Sequence, residues 1–208
     1  NPYRSFSASV NFATSSYDRN QLTNIYNQNS TSNTKGSSVS LSQRFPNSPF
    51  SLSATMNVNQ RSRDSSISVT LPDVSITMSR IYPFKRKHAV GSEKWYEKIS
   101  MSYSGYLRNS IDTKENKLMQ SSLVKDWRNG MQHNIPISAT FTFLKYINIS
   151  PSFNYTERWY TSKVMQAWNE TSNRLMPSDT IYGFNRVYNY NASLSASTTM
   201  YGFYKPLP

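Results

Sequence analysis

The chain has 208 residues, of which 37% are hydrophobic, a mean hydropathy of −0.65 and a formal charge of +12. Aromatic residues reach 14%, more than a disordered polar chain carries; no run of 18 apolar residues supplies a transmembrane helix, and without cysteine there are neither disulfides nor thiolate zinc sites. The cationic excess favours polyanionic partners such as nucleic acid, anionic lipid or phosphorylated glycolipid.

From the N-terminus, Phe6, Ala8, Val10 and Phe12 alternate with Ser5, Ser7, Ser9 and Asn11, the period of a strand with one apolar face. Further strands are expected at Val39 to Phe45, at Phe50 to Val58 (Phe50, Leu52, Ala54, Met56 and Val58 against Ser, Thr and Asn) and at Ile67 to Met78. In the last of these the parity changes from Ile67, Val69 and Leu71 to Val74, Ile76 and Met78, so a β-bulge is expected at Pro72-Asp73. Ile99 to Leu107 follows, and then the clearest pattern in the chain. Ile135, Ile137, Ala139, Phe141 and Phe143 make one apolar face, Leu144-Lys145-Tyr146 turns, and Ile147, Ile149, Phe153 and Tyr155 make the next. These two runs predict a hairpin in which Pro136 and Pro151, lacking N–H donors, need unpaired positions. Tyr190 to Met200, built on Ala192, Leu194 and Ala196, completes a count of eight strands.

Such alternation fits a soluble β-sandwich or a membrane barrel. Runs of about 10 to 14 residues exceed the 5 or 6 usual in soluble sheets, and about 10 tilted residues cross an outer membrane. The polar face is mostly Ser, Thr and Asn, with few of the Lys and Glu that protect soluble edges. Aromatic residues cluster at both ends of the hairpin, Phe141, Phe143 and Tyr146 at one and Tyr155, Trp159 and Tyr160 at the other, as two interfacial girdles require. The fold class expected is all-β, an antiparallel transmembrane barrel segment occupying residues 1–208. Residues 15–36, 109–130 and 161–181 are expected as long outer loops, and 46–49 and 144–146 as short periplasmic turns. A polar start without a signal-peptide pattern and a proline-rich end point to a piece of a longer chain.

Catalytic signatures are not found. His88 and His133 have no acidic neighbours at a metal-site spacing, no GxSxG occurs, and no catalytic residue, metal site or cofactor is expected. Lys85-Arg86-Lys87-His88 has no recognition helix or stacking groove beside it, so nucleic acid is not the expected partner.

At residues 71–103 the sequence resembles a known family. Leu71-Pro72-Asp73-Val74-Ser75-Ile76, Ser79-Arg80-Ile81-Tyr82-Pro83-Phe84, Lys94-Trp95-Tyr96-Glu97-Lys98-Ile99 and Ser102-Tyr103-Ser104 are similar to the barrel of the lipopolysaccharide-assembly protein LptD in its Bacteroidetes form. Trp127-Arg128-Asn129-Gly130, Ser150-Pro151-Ser152-Phe153-Asn154-Tyr155, Glu157-Arg158-Trp159-Tyr160 and Tyr182-Gly183-Phe184-Asn185-Arg186 extend the resemblance in the same order. It implies an outer-membrane barrel of about two dozen strands, within the bacterial range, preceded by a periplasmic jelly-roll domain and plugged by a lipoprotein. It implies further that lipopolysaccharide arrives from a periplasmic bridge protein and leaves into the outer leaflet through a lateral opening, among outer-membrane lipids. Eight strands cannot make that barrel, so the jelly roll and the remaining strands are expected outside this chain; the cysteines of some relatives are missing. Within this reading, Arg80 and Arg158 lie in strands of the matching motifs and Lys85, Arg86 and Lys87 at the periplasmic rim, the cations expected to guide glycolipid headgroups. Two other readings remain: a complete eight-stranded adhesin or structural barrel, and a soluble sandwich binding glycans or proteins through tyrosines such as Tyr201 and Tyr204.

Overall fold

The computed structural model describes residues 2–13, 34–88 and 90–199; the expected strip at Tyr201 to Tyr204 and most of the expected 15–36 loop lie outside them. Nine strands form one antiparallel sheet: β1 (Arg4–Ser9), β2 (Thr34–Arg44), β3 (Phe50–Arg61), β4 (Ser66–Ile81), β5 (Ser100–Lys114), β6 (Arg128–Ser138), β7 (Phe141–Phe143), β8 (Ile147–Asn169) and β9 (Arg174–Thr198). Each pairs with its neighbours in sequence order, β6 and β7 sharing β8. Among the described residues no ladder joins β1 to β9, so the sheet is open. A sandwich would need a second sheet packed on the first, and all nine strands belong to one.

Nine strands stand where eight were expected because one hairpin arm is broken at Ala139-Thr140. Both pieces keep the same register against β8, Ser138 opposite Ser152 and Phe141 opposite Ile149. Pro151 explains the break. Its carbonyl accepts the Ala139 N–H at 3.1 Å, so its own nitrogen faces the same neighbour and offers no hydrogen in return. Pro136 is accommodated in a similar way, since the β5–β6 ladder runs from Met101–Ile137 to Ser104–Asn134 without pairing Ile135 or Pro136. The turn after β7 has Leu144 and Lys145 at φ 51° and 68°, as a tight hairpin turn requires.

The expected bulge is present: β4 takes three steps, Thr70 to Asp73, while β3 and β5 each take two. The shift restores the facing of Val74, Ile76 and Met78. A second bulge, at Ser79-Arg80 between Met78 and Ile81, was not visible in the sequence.

Two expected loops are shortened by strand. Of residues 109–130 only 115–127 connect, because β5 runs to Lys114 and β6 starts at Arg128. Residues 161–181 are the outer half of a long β8–β9 hairpin turning at Glu170 to Asn173. The ladder from β6 to β8 ends at Gly130–Tyr160, so beyond Tyr160 the described β8 and β9 pair only with each other.

Following the registers across the sheet separates its faces. One carries Phe6, Leu41, Ala54, Val74, Leu107, Met131, Trp159 and their alternates; the other carries Ser7, Ser40, Thr55, Asp73, Arg108, Gly130 and Tyr160. The polar face is knitted by hydroxyl pairs, Ser7–Ser40 at 2.7 Å, Ser51–Thr77 at 2.6 Å and Ser152–Ser193 at 2.6 Å. Among the described residues the apolar face is covered only where Leu118 and Trp127 pack on the buried cluster Ile67, Val69 and Ile111; elsewhere it is bare, Phe6 being 68% and Leu194 71% exposed. A single sheet with one bare apolar face is matched by a hydrocarbon solvent on that side.

Candidate functional site

Polar and charged side chains on the polar face gather where two rows lie side by side. Asp73 on β4 is opposite Arg108 on β5; Arg108 is opposite Gly130 on β6, which is opposite Tyr160 on β8. One row along, Tyr106, Gln132 and Arg158 are partners in turn. Together these residues line a hollow of about 380 Å³.

Its cations are held differently. Arg108 donates from Nε and Nη2 to Asp73 Oδ2, at 3.0 and 2.6 Å, while its side chain stays 67% exposed. Arg158 donates from Nε to the Gln132 Oε1 at 3.0 Å and makes no ion pair among the described residues. Gln132 therefore orients the guanidinium without neutralising it, and its remaining N–H groups present the fork that fits phosphate or carboxylate. Tyr106 and Tyr160 flank the two arginines. The Tyr160 ring lies over β6 at Gly130, where a Cβ would meet it in ordinary van der Waals contact at 3.6 Å. The hollow thus offers one compensated and one uncompensated guanidinium between two amphipathic rings.

Of the expected headgroup cations, Arg158 belongs to this hollow and the other four do not. Arg80 sits in the second bulge, opposite Ser102, four residues down β5 from Tyr106 or about 13 Å at strand spacing. It lines a separate cleft of about 310 Å³ with Lys85, Glu93 and Glu97. Lys85 pairs with Glu93 at 3.2 Å. Arg86 is committed to buried Glu97 through Nε at 2.6 Å and Nη2 at 2.9 Å, so it fastens the 82–99 connection instead of offering a free charge. The Arg86 guanidinium, helped by the Lys94 N–H, holds the Glu97 carboxyl at about 2. Lys87 is exposed and makes no ion pair among the described residues.

Five of the six aromatics expected at the interfaces lie on the apolar side or in the adjoining turn. Phe141 and Phe143 share the apolar face with Tyr155 and Trp159, and Tyr146 is in the turn beyond Phe143. Ile147, opposite Phe143, and Trp159 are twelve residues apart on β8, about 40 Å of strand and about 28 Å of height at a 45° tilt. That is close to the apolar band of about 25 Å of outer-membrane barrels. Tyr160 is not a girdle residue: it follows Trp159 on a strand of period two and so faces the polar wall.

Sequence reasoning missed Arg108 and Asp73, whose pairing appears only when the register is known, and a polar island on the apolar face at the Trp159 level. There Glu157 accepts from Tyr155 Oη at 2.6 Å and Trp159 Nε1 at 2.7 Å, and pairs with Arg186 Nε at 2.5 Å. Neighbouring His133 Nδ1 meets Tyr103 Oη at 2.8 Å. The parity of Glu157, shared with Tyr155 and Trp159, was the available signal.

Comparison with known proteins gives one match: a family model described as LptD protein covers residues 1–207. No curated protein and no solved structure matches.

Proposed function

Since the chain belongs to the LptD family, whose work is lipopolysaccharide transport and assembly at the outer membrane, we propose that its sheet is a stretch of the translocon's barrel wall, past which lipopolysaccharide moves into the outer leaflet. In this reading the apolar face meets lipid and the Ser, Thr and Asn face lines a hydrated passage. Turns 46–49 and 144–146 face the periplasm, and the 115–127 segment and the β8–β9 tip face outward. The plug lipoprotein and the periplasmic bridge protein are its partners.

The observation that carries the proposal is the segregation of faces from β1 through the inner half of the β8–β9 hairpin, with Arg108 and Arg158 on the polar side. A glycolipid headgroup bearing phosphate or carboxylate exchanges water for the Arg158 fork and the exposed side of Arg108, and the tyrosine rings accept its apolar surfaces. Arg80, Lys85 and Lys87 form an earlier positive step at the periplasmic rim. Passage needs no covalent step and no cofactor: each contact must be strong enough to admit the headgroup and weak enough to release it.

The test is charge reversal of Arg108 and Arg158 together in the full-length protein, with Ser193→Ala as control. Lipopolysaccharide reaching the cell surface should fall severalfold, and a photoreactive residue at Gln132 should lose its cross-link to lipopolysaccharide. Unchanged surface lipopolysaccharide, with no cross-link at Gln132 in the unreversed protein, would remove the polar wall from the route.

A further inference from the structure

The hollow on the polar wall holds more than a cation for an acid group, and its remaining chemistry narrows what it receives. Its side chains form two rows, Asp73, Arg108, Gly130 and Tyr160 in one and Ser75, Tyr106, Gln132 and Arg158 in the next. Over Gly130, which has no side chain, lies the Tyr160 ring. Two tyrosines and two arginines thus surround a low centre. At about 380 Å³ the hollow has the size of a small-ligand site, about 300–1,000 Å³.

Charge alone does not account for this arrangement. Of the two guanidiniums only Arg158 is without a carboxylate partner, and Asp73 keeps Oδ1 open because both Arg108 donors go to Oδ2. A site made for bare phosphate gathers several N–H donors round one point. Here a carboxylate oxygen shares the hollow and repels a second negative charge. Neutral hydrogen-bonding groups make up the rest. Gln132 spends Oε1 on Arg158 and keeps Nε2 to donate, and neither Tyr106 Oη nor Tyr160 Oη has a partner among the described residues. Tyr106 is 46% and Tyr160 40% exposed, so part of each ring is open to a ligand.

An occupant that satisfies all of these groups brings one acid group, hydroxyls that donate as well as accept, and C–H surface for the rings. A lone phosphate has no C–H surface, and an acyl chain has no hydroxyl. A sugar ring bearing a carboxylate or phosphate has all three. Its hydroxyls suit Asp73 Oδ1 and Gln132 Nε2, and its slightly positive C–H hydrogens are attracted to the negative face of an aromatic ring.

We infer that Tyr106 and Tyr160 make this hollow a sugar subsite, in which an anionic pyranose packs against their rings with its acid group on Arg158 and its hydroxyls on Asp73 and Gln132. This rests on the barrel-wall reading proposed above and adds what the wall discriminates: a charged sugar ring ahead of charge alone. The two tyrosines are then the specificity-determining residues.

The test is titration calorimetry of the full-length protein in detergent with trigalacturonate, maltotriose and inorganic tripolyphosphate. Each probe is compared between the parent and Arg158→Gln, so that ions held elsewhere on a cationic chain cancel. Trigalacturonate should lose affinity severalfold in Arg158→Gln, tripolyphosphate should lose little, and maltotriose should bind weakly to both. Changing Tyr106 and Tyr160 together to Leu should weaken trigalacturonate severalfold, and changing both to Phe should retain most of its affinity. In the parent, saturation of tyrosine ring protons should transfer to the sugar C–H protons, and the transfer should vanish in Arg158→Gln. Equal weakening of tripolyphosphate and trigalacturonate by Arg158→Gln, full trigalacturonate affinity in the Leu pair, or no saturation transfer in the parent would overturn the subsite. Cross-linking of lipopolysaccharide at Gln132 separates that failure from failure of the reading beneath it: a persistent cross-link beside any of those results removes the sugar subsite alone, and a missing one removes the passage.

Discussion

The two halves of the β8–β9 hairpin share one backbone ladder and differ in nearly everything else. From Ile147–Thr198 to Tyr160–Asn185 the pairs alternate between an apolar and a polar face, and β6 and β7 continue the sheet beside them. From Ser162–Tyr182 to Asn169–Arg174 the ladder goes on, but Val164, Met165, Trp168, Leu175 and Ile181 fall on both faces and are all exposed. Period two is therefore not a property of strands as such. It records a boundary between two solvents, and where both faces meet the same solvent the strand carries no pattern.

Inserting a charge on the two faces at one level tests this most strongly. Ala192→Arg, on the apolar face, should destabilise the folded protein in a bilayer by about 2–4 kcal/mol, the cost of a cation near the membrane midplane. Asn191→Arg, one residue away on the polar wall, should stay within about 0.5 kcal/mol, as a substitution on a solvated surface does. Urea midpoints of the two variants in the same lipid measure the contrast, and similar losses at both positions would mean that the faces do not meet different solvents.

What the sequence conveyed follows the same division. Wherever the two faces differ in polarity, the strands, the Pro72 bulge and the 144–146 turn could be read directly. The ends of β5 and β6, at Asn109 to Lys114 and Arg128 to Gly130, were taken for loop because Asp112, Lys114 and Arg128 interrupt the apolar rhythm. Arg158 could be placed on the polar wall by parity alone. Arg108 could not be matched to its carboxylate, because Asp73 is 35 residues away and reaches it only across the bulged β4–β5 register. Tyr160 was misassigned by counting aromatics along the chain instead of by face.

The 82–99 connection sharpens the comparison from the opposite end of the sheet, because it too lacks alternation yet is tied by side chains. Glu97 receives Arg86 Nε and Nη2, the Arg86 N–H at 3.2 Å and the Lys94 N–H at 2.7 Å. Its folded carboxyl, near 2, is below the ordinary value of 4.5, so the unfolded connection binds its proton first as pH falls. The stabilisation is complete above about 4.5 and disappears on acidification through about 2. Pepsin cleavage near Tyr82 and Trp95, compared at each pH with Glu97→Gln, should show protection of the native connection at pH 5 that converges on the variant's rate by pH 2. A constant ratio would mean that the carboxylate does not hold the connection.

The smallest effect is expected where pairing is most extensive to the eye. Replacing residues 163–181 by a two-residue Asn-Gly turn removes the outer rungs from Lys163–Ile181 to Asn169–Arg174, but none of these rungs has a third strand beside it among the described residues or buries an apolar side chain. An isolated two-stranded ribbon is marginally stable at best, so its loss should leave the urea midpoint of the remaining sheet within about 0.5 kcal/mol of the parent. A large drop would show that the outer hairpin packs against parts of the protein beyond the described residues, and the missing alternation would then reflect burial on both faces instead of exposure on both.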